Sequence, residues 1–134
     1  MRHIHFVAVI IAAFASLSYA KCGNALIVVE GKVEGTSSAL KGNIVVRVEP
    51  DPNWDDQPAV RFEDGKFEAQ VYFDMTKSEG VVRDNCSRRP RTVTVSLIVD
   101  GRETETVSLI VQRDFIRVDT HHYKLKSPLV LHSR

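Results

Sequence analysis

The 134-residue chain carries 18 Lys and Arg against 17 Asp and Glu, and 43% of its residues are hydrophobic. Arg2 alone of these charges precedes Lys21, so residues 21–134 are formally neutral, with 17 charges of each sign. Neutrality excludes a dedicated nucleic-acid binder, whose affinity rests on many unopposed phosphate contacts, and the length suits one domain with its own core.

The first twenty residues read as an export signal. Arg2, His3 and His5 make a mildly basic start, Phe6 to Leu17 is a mainly apolar run, and Ser18-Tyr19-Ala20 places small residues at a cleavage position. Twelve such residues span only about 18 Å as a helix, short of the roughly 30 Å hydrocarbon core, so no membrane span is expected to remain. The mature protein is expected to begin at Lys21, as a secreted or periplasmic single domain over 21–134. Cys22 and Cys86 are the only cysteines. In an oxidising compartment they are expected to pair, closing a loop of about 65 residues worth roughly 4 kcal/mol in the chain-entropy picture.

Beyond Cys22 the apolar residues repeat with period two, which puts them on one face of a strand. Ala25 to Val29 is continuously apolar and suits a strand buried on both sides. Ile44, Val46 and Val48 alternate with Val45, Arg47 and Glu49, and the same period runs through Phe67 to Phe73, Val93 to Val99, and Val107 to Val111. Asp64-Gly65 predicts a two-residue hairpin loop, because both central residues of that turn need positive φ. It sets Glu63 opposite Lys66, Phe62 opposite Phe67 and Arg61 opposite Glu68, three favourable pairs in one register. For Asp100-Gly101 a two-residue loop would place Val95 against Thr106 and split the apolar faces, so a loop of three or five residues is expected. The irregular pieces are Pro50 to Pro58, stiffened by prolines, and Asp74 to Pro90, which holds Arg83, Arg88, Arg89 and Cys86.

Gly31-Lys32-Val33-Glu34-Gly35, then Leu40-Lys41-Gly42-Asn43-Ile44-Val45-Val46, resembles the opening of carboxypeptidase regulatory-like and transthyretin-like domains. The Asp64-Gly65-Lys66-Phe67 turn and the ending around His122-Tyr123 and Ser127 to Leu131 are similar to later strands of that group. The resemblance implies an all-β fold: a single antiparallel β-sandwich of seven to eight strands, transthyretin-like or immunoglobulin-like in its Greek key. It also implies a non-catalytic module. The enzymatic branch of the group ends in Tyr-Arg-Gly-Ser, whereas this chain ends Leu131-His132-Ser133-Arg134, so no catalytic residue carries over.

Candidate chemistry is sparse. Asp51, Asn53 and Asp55 imitate a calcium loop, but Asp56 stands where glycine is needed and Phe62 where glutamate is needed. Asp119, His121 and His132 are a minimal zinc set only if the last strand folds back. No nucleophile elbow, phosphate-binding glycine loop or paired-histidine helix is present. No catalytic, metal or cofactor site is therefore expected. The expected role is to bind or present a protein or glycan partner. The candidate residues are Trp54, Arg83, Arg88, Arg89 and Arg91 in loops at one end, with an exposed sheet edge near residues 128 to 131 as the other candidate surface. A small hydrolase or a secreted host-directed effector is the alternative, and homo-oligomerisation stays open.

Overall fold

Two sheets face each other across one apolar core in the computed structural model, which describes residues 23–35, 41–53, 58–79, 82–85 and 87–133. In chain order the elements are β1 (Asn24–Glu34), β2 (Asn43–Glu49), β3 (Ala59–Glu63), β4 (Lys66–Asp74), β5 (Lys77–Glu79) and β6 (Val82–Asn85). There follow β7 (Thr92–Val99), β8 (Arg102–Ile110), the single helical turn α1 (Val111–Asp114), β9 (Phe115–Asp119), β10 (His122–Leu125) and β11 (Leu129–His132). The large sheet runs β3-β4-β1-β10-β9, with β11 also on β1; the small sheet is β2-β7-β8, and β5-β6 form a separate ribbon. The fold is the all-β sandwich that the alternation predicts.

The period-two residues do what their spacing dictates. Ile44, Val46 and Val48 of β2, Val93 to Val99 of β7 and Phe67 to Phe73 of β4 bury every second side chain. Ile27, Val29, Phe73, Val93, Val95 and Leu97 reach zero or near-zero exposure, and no polar or charged residue is buried among the described residues. β1 is central: β4 lies on one side and β10 and β11 on the other. Ala25, Ile27 and Val29 enter the core, while Val28 is buried on the opposite face, which accounts for the unbroken apolar run.

The Asp64-Gly65 hairpin has the predicted register, with Glu63 opposite Lys66, Phe62 opposite Phe67 and Arg61 opposite Glu68. Asp64 and Gly65 take φ of 52° and 75°, the positive values this turn requires. Asp100-Gly101 corrects the expectation. It too is a two-residue loop, with φ of 52° and 75° and Val99 opposite Arg102. The odd residue lies in the strand instead: the pairing shifts between Leu97 and Ile98, so Thr104 is bulged and Val95 meets Val107. Thr104 Oγ1 donates to the Leu97 carbonyl at 3.3 Å, fixing the bulge where the loop was expected to absorb the extra residue.

Two further departures have local causes. The alternation through Val111 suggested continuing strand, but the chain turns there through α1 to leave the small sheet and enter β9 of the large one. Asp114 Oδ2 accepts from the Ile110 amide at 2.8 Å and holds that corner. The pairing is also not wholly antiparallel, since β10 and β11 both run parallel to β1. Val28 faces Lys124 and Gly31 faces Leu129, so the two are one strand interrupted by two extra residues. Counted so, the sandwich has eight principal strands plus the β5-β6 ribbon.

Candidate functional site

The interruption between β10 and β11 shapes a hollow on the described surface. Pairing along that edge of β1 stops at Val28 and resumes at Gly31, so Lys126 to Pro128 leave the ladder beside Val29 and Glu30. Lys126 N donates to the Asp114 carbonyl at 2.9 Å, tying the departing chain to the corner at α1. The result is a trough of about 580 Å³ over the outer face of β3, β4, β1 and β11, within the roughly 300–1,000 Å³ usual for ligand sites. Pro128, Leu129 and Val130 form one lip, and Gly31 and Phe67 contribute to the floor. Gly31 is a packing requirement: a Cβ there would lie 2.6 Å from Phe67 Cε1 and 2.7 Å from the Leu129 carbonyl oxygen.

Strand alternation points six charges into this trough: Glu30 and Lys32 from β1, Arg61 and Glu63 from β3, Lys66 and Glu68 from β4. Register sorts them into two rows. Glu30 lies opposite Glu68, with Arg61 beyond; Lys32 lies opposite Lys66, with Glu63 beyond. Like charges directly opposite one another are destabilising in a sheet. Among the described residues, Glu30, Arg61, Glu63 and Lys66 form no ion pair or side-chain hydrogen bond. Glu68 Oε1 accepts from Gln70 Nε2 at 3.0 Å, and Lys32 Nζ meets Glu34 Oε1 at 3.1 Å. The Lys32 ammonium, with His132 behind it, holds the Glu34 carboxyl below the usual carboxylate range.

At the opposite end, the arginines singled out in the sequence are largely engaged in the fold. Arg88 Nη1 donates to the Asp74 carbonyl at 2.9 Å, Nη2 donates to the Asp51 carbonyl, and the guanidinium lies 4.7 Å from the Phe73 ring centroid. It staples the segment after β2 to the last residue of β4. Arg89 Nη1 reaches the Arg88 carbonyl at 2.9 Å and Met75 Sδ at 3.6 Å. Arg91 has an exposed side chain, while its backbone links the Glu49 carbonyl and the Val111 amide. Arg83 lies on β6, and nothing of its side chain is described; Trp54, Cys22 and Cys86 lie outside the described residues, as do residues 1–20, which the sequence leads one to expect as an export signal.

Asp119 and His121 share the turn into β10, where Asp119 Oδ1 accepts from the His121 amide at 2.7 Å. His132 is not with them. It stands between Glu34 and Glu105, at 3.5 and 3.7 Å, bridging β11 to β8. No group of three His, Cys, Asp or Glu converges on a cation position among the described residues. Asp51 Oδ1 accepts from the Asn53 amide at 2.7 Å, a local turn within the acidic segment. No helix among the described residues is long and apolar enough to cross a membrane. No protein-family model, curated protein or solved structure matches the chain.

Proposed function

We propose that this chain is an exported, non-catalytic β-sandwich module, of the transthyretin-like or carboxypeptidase regulatory-like kind, that binds a protein partner across the outer face of its large sheet. The observation that carries the reading is the trough itself: a concave face lined by both signs of charge, four of them unpaired within the described structure. The loop end is the weaker surface, because Arg88 and Arg89 spend their donors on carbonyls and on Met75. Of residues 128 to 131, the other surface expected from the sequence, Pro128, Leu129 and Val130 border the trough, while Leu131 is buried in the core. A protein suits it better than a neutral glycan, since its one aromatic, Phe67, is buried and offers no stacking platform.

Export and the Cys22–Cys86 bridge belong to the same reading. The chain next to each cysteine approaches one stretch: Asn24 is opposite Asp74, and the Arg88 amide donates to the Met75 carbonyl at 3.2 Å.

Partner capture from the export compartment tests the role. The full chain, expressed with its leader and purified, is used beside an Arg61→Glu, Lys66→Glu variant and a loop-end variant, Trp54→Ala with Arg91→Ala. Wild type and the loop-end variant should retain the same partner and the trough variant should lose it. Loss in the loop-end variant with retention in the trough variant would overturn the assignment.

A further inference from the structure

We infer that the trough selects an extended peptide segment presenting one basic and one acidic side chain two residues apart on the same face. The inference rests on the partner-binding role proposed above and specifies what the partner must carry. Glu30 and Lys32 are two residues apart on β1, so the acidic and basic rows are separated by about 6.5–7 Å. That is also the spacing of side chains i and i+2 in an extended peptide, so a segment lying along β1 stays in step with it.

The charge count of each row fits one side chain. The row of Arg61, Glu68 and Glu30 has one negative charge in excess, and the row of Glu63, Lys66 and Lys32 one positive. In the free protein Glu30 faces Glu68 and Lys32 faces Lys66, each pair repelling. A partner ammonium between the two carboxylates and a partner carboxylate between the two lysines turn both repulsions into attractions. Lys32 already meets Glu34, but that pair is half exposed on both sides and is worth little, so an incoming carboxylate can share the ammonium. Beside the basic row, Val130 is 38% exposed opposite Lys32 and, with Pro128, offers an apolar lip to an adjacent residue. Charge complementarity of this kind sets specificity and register more than affinity.

Fluorescence anisotropy on the purified full-length expression product tests it, using end-blocked, labelled peptides of sequence Gly-Thr-Lys-Val-Glu-Thr-Gly and analogues with Lys-Val-Lys or Glu-Val-Glu at the centre. The mixed-charge peptide should bind at least about tenfold tighter than either analogue, a gap of roughly 1.4 kcal/mol. Its binding should weaken as ionic strength rises. Reversing the acidic row with Glu30→Lys and Glu68→Lys should switch the preference to Glu-Val-Glu. Neutralising it with Glu30→Gln and Glu68→Gln, a milder change for folding, should erase the advantage of the lysine. Three peptides bound alike, none bound, or a preference unmoved by both variants would overturn the inference. If the captured partner is still lost in the Arg61→Glu, Lys66→Glu variant while the peptides do not discriminate, the binding face stands and the charge spacing falls; if capture fails as well, both fall.

Discussion

Replacing Gly31 with alanine tests how the trough floor is built. Gly31 is in the middle of β1, paired with Phe67 on one side and Leu129 on the other. Its φ is not positive, so the objection to a side chain is space and not backbone conformation. An added Cβ would stand 2.6 Å from Phe67 Cε1, closer still to Cζ, and 2.7 Å from the Leu129 carbonyl oxygen. Phe67 is only 3% exposed, and Leu129 O belongs to the β11 backbone, so neither neighbour is the loose end of a flexible side chain. Overpacking of this kind costs about 1–3 kcal/mol. Stiffening the unfolded chain by Gly→Ala returns about 0.4–1 kcal/mol where the folded backbone accepts it, which is less than the clash. Net destabilisation of about 1–2 kcal/mol is expected, read as a lower urea midpoint at unchanged m. Phe67→Leu in the same chain should recover part of the loss, giving less than additive costs. A Gly31→Ala midpoint at or above wild type would refute the packing described.

Other outcomes follow from the same structure. Arg88→Ala should destabilise by about 1–3 kcal/mol in urea unfolding, because two carbonyl acceptors and the cation–π contact over Phe73 are lost together, whereas Arg91→Ala should change the midpoint little; equal effects would deny the staple. Amino-terminal sequencing of the exported protein should begin at Lys21, and its thiols should resist alkylation until reduction, with loss of up to about 4 kcal/mol of stability; a free thiol in the native protein would remove the bridge. Asp114 is held below the ordinary carboxylate range chiefly by its hydrogen bond to Arg113, with the Ile110 amide adding to it. Its stabilisation is therefore full above the ordinary value and is lost as pH falls through the lowered one. The stability gap between wild type and Asp114→Asn should narrow across that acid window, and a gap independent of pH would contradict the assignment.

The sequence made local pairing legible and left non-local pairing hidden. Glu63-Asp64-Gly65-Lys66 reads as a hairpin with a definite register because three cross-strand pairs and the turn dipeptide agree. Asp100-Gly101 misled because parity alone cannot say whether an odd residue lies in the loop or in a bulge such as that at Thr104. Ala25 to Val29 announces burial on both faces, but nothing in it states that its second neighbour runs parallel and breaks beside Glu30. Two members of each charged row, Arg61 with Glu68 and Glu63 with Lys66, are legible from the hairpin. Glu30 and Lys32 join them only through the β1–β4 register, which sets like against like and which no local signal states. The arginines stand out by clustering, yet Arg88 donates to the Asp74 and Asp51 carbonyls, which only the folded loops bring near it.

Amide chemical-shift mapping by NMR, with the captured partner or the mixed-charge peptide added to the labelled protein, tests the binding face most directly. Shifts should concentrate at residues 30–32, 61–68 and 128–130, with residues 50–53 and 87–91 nearly still. Shifts gathered at residues 50–53 and 87–91, with the trough unmoved, would contradict the account.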